Sequence, residues 1–370
     1  MNILVLTTRN IYGNSGEYSL MVAKDKALKK HNIDLIYYSF RRKFNKFKDQ
    51  NFNIIKQDSM YNLLFKKKQI KKNIETIINH YNINIIVVSG NWILFLYKEL
   101  ESLKEQYNIK LSYDYQGAIE EVKEYALFKN NQFLSNILFN ILKRHEKLIL
   151  NIIDGVEAVS QNAIDHLKSV YSPKNDFSEV LIHCGIENPI EKKDYEKFRE
   201  LWRSKYNIKN DEIIYVYAGG IAKWQNIDEI IEQAKDNDKI KLFIYTSMKN
   251  QEFLKENYEL SSNIFFDYLS HEELQKALCA FDYGYLLRNK DITNYVAFPN
   301  KFSDYINARL TVINKNDEIG YYSKQLSKDN ITQSILDFKS QANNTDFERY
   351  ISYFSYETMI PKLVKYYKEL

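Results

Sequence analysis

The sequence predicts an α/β protein of two Rossmann-like parallel-sheet domains facing each other across a cleft. Three observations carry that expectation. Short, nearly continuous apolar runs alternate with longer amphipathic stretches, the pattern of strands covered on both faces by crossover helices. The alternation pauses once, in "LIHCGIENPIEKKDYEKF" (Leu181–Phe198), and then restarts. At 370 residues the chain also exceeds what one hydrophobic core ordinarily serves.

Before the pause, strands are read in "NILVLT" (Asn2–Thr7), "DLIYYSF" (Asp34–Phe40), "NIIVVSG" (Asn84–Gly90), "KLSYDY" (Lys110–Tyr115) and "GVEAVS" (Gly155–Ser160). Apolar residues at helical spacing separate them, as in "LFKKKQIKKNIETIINHY" (Leu64–Tyr81). Gly185, Pro189 and a charge run make the pause a linker. After it come "EIIYVYAGG" (Glu212–Gly220), "KIKLFIYT" (Lys239–Thr246), "NIFFDYL" (Asn263–Leu269), "FDYGYLL" (Phe281–Leu287) and "RLTVIN" (Arg309–Asn314), with a helix at Asn226–Lys235. The terminal "FSYETMIPKLVKYYKEL" reads as a closing helix. The expected organisation is therefore a domain over 1–185, a second over 186–350, and a helix over 351–370 that packs back on the first.

Bulk properties exclude several classes. Hydrophobic residues at 45% and charged residues at 27% argue against long disorder. A net charge of +4, with no basic stripe interleaved with aromatics, argues against nucleic-acid binding. Cys184 and Cys279 match no zinc or CxxC spacing, so a reducing cytoplasm is the expected location. The N-terminal apolar run is too short for a signal peptide, and no stretch reaches the ~18 apolar residues that span a bilayer. "FLSNILFNILKRHEKLILNIID" (Phe133–Asp154) mixes apolar and basic residues at helical spacing. It suits either a core-facing helix with a wet basic side or one resting on an anionic membrane.

Open parallel sheets bind ligands at the C-terminal ends of their strands, and five such ends are rich in special residues. In "NIYGNSGEYS" (Asn10–Ser19), Gly13 and Gly16 permit close backbone approach at a helix start, and a plain loop explains them equally well. In "YDYQGAIEEVKEY", Asp114 stands beside a glycine turn. Glu120 and Glu121 open the next helix, where the dipole alone favours acids. In "VYAGGIAKWQNIDE", Gly219, Gly220 and Lys223 offer backbone N–H groups and a cation, a combination that suits phosphate. Arg288 ends another strand. In "VAFPNKFSDY", Pro299 suits the first turn of a helix, which puts Lys301 at its mouth and Asp304 one turn later on nearly the same face. A cation with free helix N–H groups beside a hydroxyl-accepting carboxylate matches a diphosphate joined to a ribose, while an ordinary i, i+3 ion pair is the bland alternative.

Taken together, "YAGGIAKWQNIDEII", "LLRNKDITNYVAFPNKFSDYINARLTVI", "FSYETMIPKLVKYY" and "SYDYQGAIEE" resemble the GT-B glycosyltransferases of the retaining group called family 4, in the subset that builds bacterial capsule, lipopolysaccharide or other surface glycans. The resemblance spans the whole chain, and P-x-K-F-x-[DE]-Y is its most specific part. It implies that the second domain binds a UDP- or GDP-linked sugar and the first binds a glycan or lipid-linked oligosaccharide acceptor. Contact with the inner face of the cytoplasmic membrane is part of that expectation. By the same resemblance Lys301, Lys223 and Arg288 neutralise the diphosphate, Asp304 accepts the ribose hydroxyls, and Gly219, Gly220, Asn300 and Tyr305 complete the donor site. Asp114 orients an acceptor hydroxyl, and Gly13, Gly16 and Glu120 line the acceptor side. No metal and no cofactor are expected, so cations and helix N–H groups must carry the electrostatic work. The leaving diphosphate would help deprotonate the acceptor.

The chain departs from the family pattern at four places. Val296 replaces the first acid of the Glu-x7-Glu pair. Arg309 stands for the usual glycine, Gln116 for a frequent arginine, and Gly220 for a phosphate-binding arginine. "DND" (Asp236–Asp238) imitates a metal motif but lies in a turn between a helix and a strand, and His183 in the linker reads as structural. A nucleotide-sugar epimerase or hydrolase on the same fold, and a non-catalytic glycan-binding protein, are the other functional readings.

Overall fold

The computed structural model describes residues 1–9, 16–41, 52–124, 131–237, 240–288, 291–313 and 347–370. These form two compact units, one of Met1–His183 with Tyr356–Leu370, the other of Cys184–Ser355.

Within the first unit the elements run β1 (Asn2–Thr7), α1 (Gly16–Lys29), β2 (Asp34–Arg41), β3 (Asn53–Ser59), α2 (Met60–Phe65), α3 (Lys67–Tyr81), β4 (Ile85–Ser89), α4 (Tyr97–Tyr107), β5 (Lys110–Tyr115), α5 (Gln132–Leu150), β6 (Gly155–Ala158), α6 (Gln161–Tyr171) and β7 (Ser178–Leu181). Short 3-10 turns occupy Asn91–Leu96 and Ile119–Glu124. The second unit has α7 (Lys192–Lys205), β8 (Ile214–Ala218), α8 (Ile227–Lys235), β9 (Lys241–Tyr245), α9 (Met248–Asn257), β10 (Ile264–Asp267), α10 (His271–Leu278), β11 (Tyr283–Tyr285), α11 (Ile292–Val296), α12 (Asn300–Asn307), β12 (Thr311–Ile313) and α13 (Phe347–Phe354). The final helix α14 (Tyr356–Glu369) belongs to the first unit.

Each unit holds one all-parallel sheet, ordered β3-β2-β1-β4-β5-β6-β7 in the first and β10-β9-β8-β11-β12 in the second. The order reverses between β1 and β4, and again between β8 and β11. At such a reversal the crossover helices leave to opposite faces and open a crevice beyond the strand ends.

All ten expected strands are present, trimmed by a few residues. The two unforeseen ones, β3 and β7, are edge strands with broken burial patterns, so neither carries a continuous apolar run. The helix expected over Leu64–Tyr81 is two helices, because Lys66 leaves helical geometry at φ −121°, ψ 43°. Pro299 is the N-cap of α12, extended at φ −73°, ψ 128°, rather than a residue of its first turn.

The helix α14 packs on α1 and β7. Tyr366 shares a hydrogen bond of 2.7 Å with Ser112, and Tyr367 donates to Glu157 at 2.6 Å. The last helix thus reaches the buried polar residues of β5 and β6.

Candidate functional site

In the second unit, β8 and β11 pair only at Tyr283–Tyr215 and Gly284–Val216. Beyond that point the strands part, and Tyr305 of α12 bridges the gap. Its hydroxyl accepts from the Ala218 N–H at 3.0 Å and donates to the Tyr285 carbonyl at 3.2 Å. Gly284 makes this possible, since a Cβ there would lie 2.5 Å from the Tyr305 ring. Tyr305 is wholly buried, so the side chain expected to touch the donor instead supports the crevice. Tyr305→Phe leaves a buried N–H without its partner and is expected to cost about 1–3 kcal/mol, read as a lower urea midpoint with an unchanged slope.

At the end of β8, Gly219 has φ +143°, and a Cβ there would meet the Lys301 ammonium at 3.1 Å. The glycine is therefore needed twice, for its backbone and for space. Its own N–H donates to the Tyr245 carbonyl at 2.9 Å. The Gly219 amide expected to face a phosphate is thus engaged, and what the turn provides is room for Lys301. Gly220 is exposed, and its carbonyl accepts from Tyr217. Lys223 is exposed on the 3-10 turn Lys223–Gln225, ahead of α8.

Lys301 is the most informative residue. It is about nine-tenths buried, with Nζ 3.9 Å above the centre of the Tyr217 ring. Among the described residues it makes no ion pair and no hydrogen bond. Burial, reinforced by the charge of Arg288, pushes its pKa well below the ordinary lysine range, against a smaller opposing pull from Asp304. It also sits in the first turn of α12, whose N-terminus has no side-chain cap and no acid. A cation there opposes the helix dipole, so buried charge, dipole and Arg288 all concentrate positive potential at one place.

Asp304 lies one turn along α12 and is half-buried. Its Oδ1 accepts from Gln275 Nε2 of α10 at 2.6 Å. Burial raises its pKa, opposed by His271, the Gln275 hydrogen bond and Lys301. Asn300 is half-buried at the head of α12. The structure thus brings together Lys301, Asp304, Gly219 and Arg288, and adds Tyr217, Gln275 and His271, which nothing in the chain's periodicity singled out.

The departures also have physical readings. Val296 is wholly buried at the end of α11, so the missing acid is replaced by core packing. Arg309 keeps the left-handed backbone that favours glycine, at φ +57°. Its side chain bonds the Ile190 carbonyl at 3.0 Å, pairs with Glu348 and lies over the Tyr195 ring. Asp236 is the C-cap of α8, and 238 lies outside the described residues.

In the first unit, Asp114 stands beyond the reversal between β1 and β4. It is buried and caged: Ser89 donates to Oδ2 at 2.7 Å and Gln116 Nε2 reaches both oxygens at 2.9 and 3.1 Å. Lys24 lies 3.7 Å away and Arg9 3.8 Å. Burial alone would raise the Asp114 pKa, but Lys24, Arg9 and these hydrogen bonds outweigh it and hold the group below the usual carboxylate range. Gln116 therefore works as a clamp on Asp114. Lys24 also pairs with Glu157 at 2.6 Å, so two acids and two bases share one buried cluster.

Glu120 is half-buried, and its field acts on Glu146, Tyr115, Tyr171 and His166 rather than on Asp114. Gly16 opens α1, and Gly13 lies outside the described residues. His183 is buried, bonded to the Val159 carbonyl at 2.7 Å, with its pKa pushed down to about 4 by burial. Sequence reading missed Arg9, Lys24 and Glu157, because a charged residue after β1, on α1 or within β6 has nothing local that sets it apart from a solvated one.

No family model and no curated protein sequence matches the chain. Its architecture does match solved structures. Sucrose-phosphate synthase (tll1590) from Thermosynechococcus elongatus superposes with a TM-score of 0.68 at 13% identity, covering 100% of this chain and 98% of that one. Anabaena Alr3699/HepE in complex with UDP gives 0.69 at 12% identity, with both chains covered completely. WaaG, a glycosyltransferase involved in lipopolysaccharide biosynthesis, gives 0.55 at 11%, covering 95% of this chain and 99% of that one. Two parallel α/β sheets in these orders, matched over full length by such structures, are the GT-B fold, and that is the fold of this chain.

Proposed function

We propose that the protein is a glycosyltransferase that moves a sugar from a nucleotide-sugar donor to a glycan or lipid-linked acceptor, in bacterial surface polysaccharide synthesis. The observation that carries this reading is Lys301: a buried cation that makes no ion pair among the described residues, at an uncapped helix N-terminus beside a strand-order reversal, one turn from a carboxylate. An isolated buried charge is costly, and a diphosphate supplies what is missing. HepE has been solved with UDP and with UDP-glucose, which supports a uridine-linked donor.

In this account Lys301, Arg288, Lys223 and the N–H groups of α12 stabilise the diphosphate as it departs, work that in other systems falls to a metal. Asp304 holds the ribose. Asp114, kept ionised by Lys24 and Arg9, orients the acceptor hydroxyl, and its proton passes to the leaving diphosphate, with retention at the anomeric carbon. The buried Val296 favours a second reading, binding without transfer. Incubation with a panel of UDP- and GDP-sugars and acceptor glycans decides between them. Acceptor-dependent release of nucleotide supports transfer, release without acceptor supports a hydrolase, and binding with no turnover supports a binding protein.

The membrane part of the reading rests on α5. Phe133 is 73% exposed and Leu134, Ile137 and Ile141 are also exposed on one helix, with Lys143, Arg144 and Lys147 further along. No described helix is long and apolar enough to cross a membrane. An apolar stripe leading into cations fits the surface of an anionic bilayer, the cytoplasmic leaflet in which a lipid-linked acceptor would reside. Co-sedimentation with phosphatidylglycerol vesicles is expected for the parent and lost in Ile137→Glu/Ile141→Glu. Equal binding of parent and variant contradicts it.

A further inference from the structure

The carboxylate of Asp304 does not stand alone, and the groups behind it form a chain whose direction is fixed by donor and acceptor chemistry. It begins at the backbone. The Ile190 N–H donates to Asn307 Oδ1 at 2.9 Å. A backbone N–H can only donate, so the Asn307 amide has one allowed orientation, with its Nδ2 pointing away. That Nδ2 donates to the Asn188 carbonyl at 3.1 Å and to Gln275 Oε1 at 3.2 Å. With its oxygen thus accepting, Gln275 must present Nε2 to Asp304, where the bond is 2.6 Å. The Ile190 peptide is held from its other side by Arg309, which donates to its carbonyl. Asn307 is buried and Gln275 half-buried, so the line runs from the backbone of one segment, through α12, to α10 and back to α12.

We propose that Gln275, oriented by Asn307, is a positioning residue for the nucleotide: it holds Asp304 by Oδ1 and leaves Oδ2 as the single oxygen that accepts from a sugar hydroxyl. Among the described residues Oδ2 takes no hydrogen bond. An aspartate has a shorter reach than the glutamate of the resembled family, and a fixed donor behind it removes the rotation that a short side chain would otherwise keep. The inference rests on the donor-site reading above. It adds that the nucleotide's sugar is gripped by one carboxylate oxygen set by a glutamine, rather than by a free two-oxygen fork.

The test is calorimetric titration of UDP and of GDP into the intact protein at about pH 8 and about pH 5.5. Gln275→Glu keeps the acceptor that Asn307 needs but sets a second carboxylate against Asp304. Two carboxylates that close cannot both ionise cheaply, and one shared proton restores a donor at the same place. The titratable groups facing Asp304 are His271 from α10 and Lys301 from α12, and parent, Gln275→Glu and Gln275→Leu all carry both, so each variant is compared with the parent at the same pH. Gln275→Glu is expected to bind about tenfold more weakly than the parent at pH 8 and to recover to within about twofold at pH 5.5. Gln275→Leu, with no donor to regain, should be weakened to the same degree at both. A Gln275→Glu protein that binds like the parent at pH 8, or is equally weak at both pH values, overturns the proposal. The donor reading fails separately, and the proposal with it, if the parent binds neither nucleotide or if Asp304→Ala binds as well as the parent. A loss in Asp304→Ala beside an indifferent Gln275→Glu removes the positioning role alone.

Discussion

Lys301→Met is expected to remove nucleoside-diphosphate binding while leaving the unliganded protein as stable as before, or more so. Methionine fills a similar volume and keeps the contact with the Tyr217 ring. It removes an ammonium that burial and Arg288 both disfavour, so the unliganded protein is relieved of a destabilising charge. The liganded protein, in contrast, loses a desolvated charge–charge contact, for which truncation ordinarily costs about 2–5 kcal/mol. Calorimetry and thermal unfolding on the same preparation check both halves. The pH dependence comes from the direction of the shift. The folded pKa of Lys301 lies below its unfolded value, so the unfolded chain binds the extra proton between the two, and the penalty on the empty protein is greatest at low pH and fades as pH rises. A bound diphosphate favours the charged form. Binding should therefore take up protons, and weaken, above a pH that lies below the ordinary lysine range. Lys301→Met should show neither effect. An equal loss of stability and binding would mean that Lys301 is structural.

Glu157→Leu is expected to be the most destabilising single change in the first unit. Glu157 accepts from Ser112 at 2.9 Å and Tyr367 at 2.6 Å and pairs with Lys24. Its loss takes the 2.6 Å partner from the buried Lys24 ammonium and leaves it the more distant Asp114 at 3.7 Å, and breaking a buried pair from one side ordinarily costs about 3–5 kcal/mol. Removing both partners, as Lys24→Met/Glu157→Leu, should recover a large part of that loss, since replacing both charges is often close to neutral. Urea unfolding of the parent, two single variants and the double variant gives the coupling directly. Full additivity would mean that the cluster does not act as a unit. The same cluster keeps Asp114 ionised, so Lys24→Met alone should also lower turnover while leaving nucleotide affinity unchanged.

How much of this is legible in the chain depends on where each signal resides. Near-continuous apolar runs such as Ile85–Ser89 and Ile214–Ala218 announce central strands covered on both faces, because burial on both sides suppresses polar residues throughout. The edge strands β3 and β7 carry no such constraint, and their sequences, with Lys56, Gln57 and Glu179, hold no long apolar run to mark them. Lys301 and Asp304 are visible because a scarce proline marks the start of α12 and fixes the helical phase of the residues after it. Gln275 and Asn307 cannot be found that way. Their roles depend on α10 and α12 lying side by side, and nothing local to "HEELQKAL" sets its glutamine apart. At Gly219 the glycine pair announces a special turn but not its use, since the amide joins Tyr245 and the missing side chain is what matters. Arg309 shows the converse: the backbone demand for positive φ persists although the glycine that usually meets it is gone.

The central claim is that Lys301 and the head of α12 hold a diphosphate while Asp304 holds the ribose. A crystal structure of the protein with UDP or GDP, grown with and without added magnesium, tests it most directly. The account predicts phosphate oxygens within hydrogen-bond distance of Lys301 Nζ and of the first amides of α12, with a ribose hydroxyl on Asp304, in both crystals alike. A nucleotide bound elsewhere, or a diphosphate that is ordered only through a divalent ion, would contradict it.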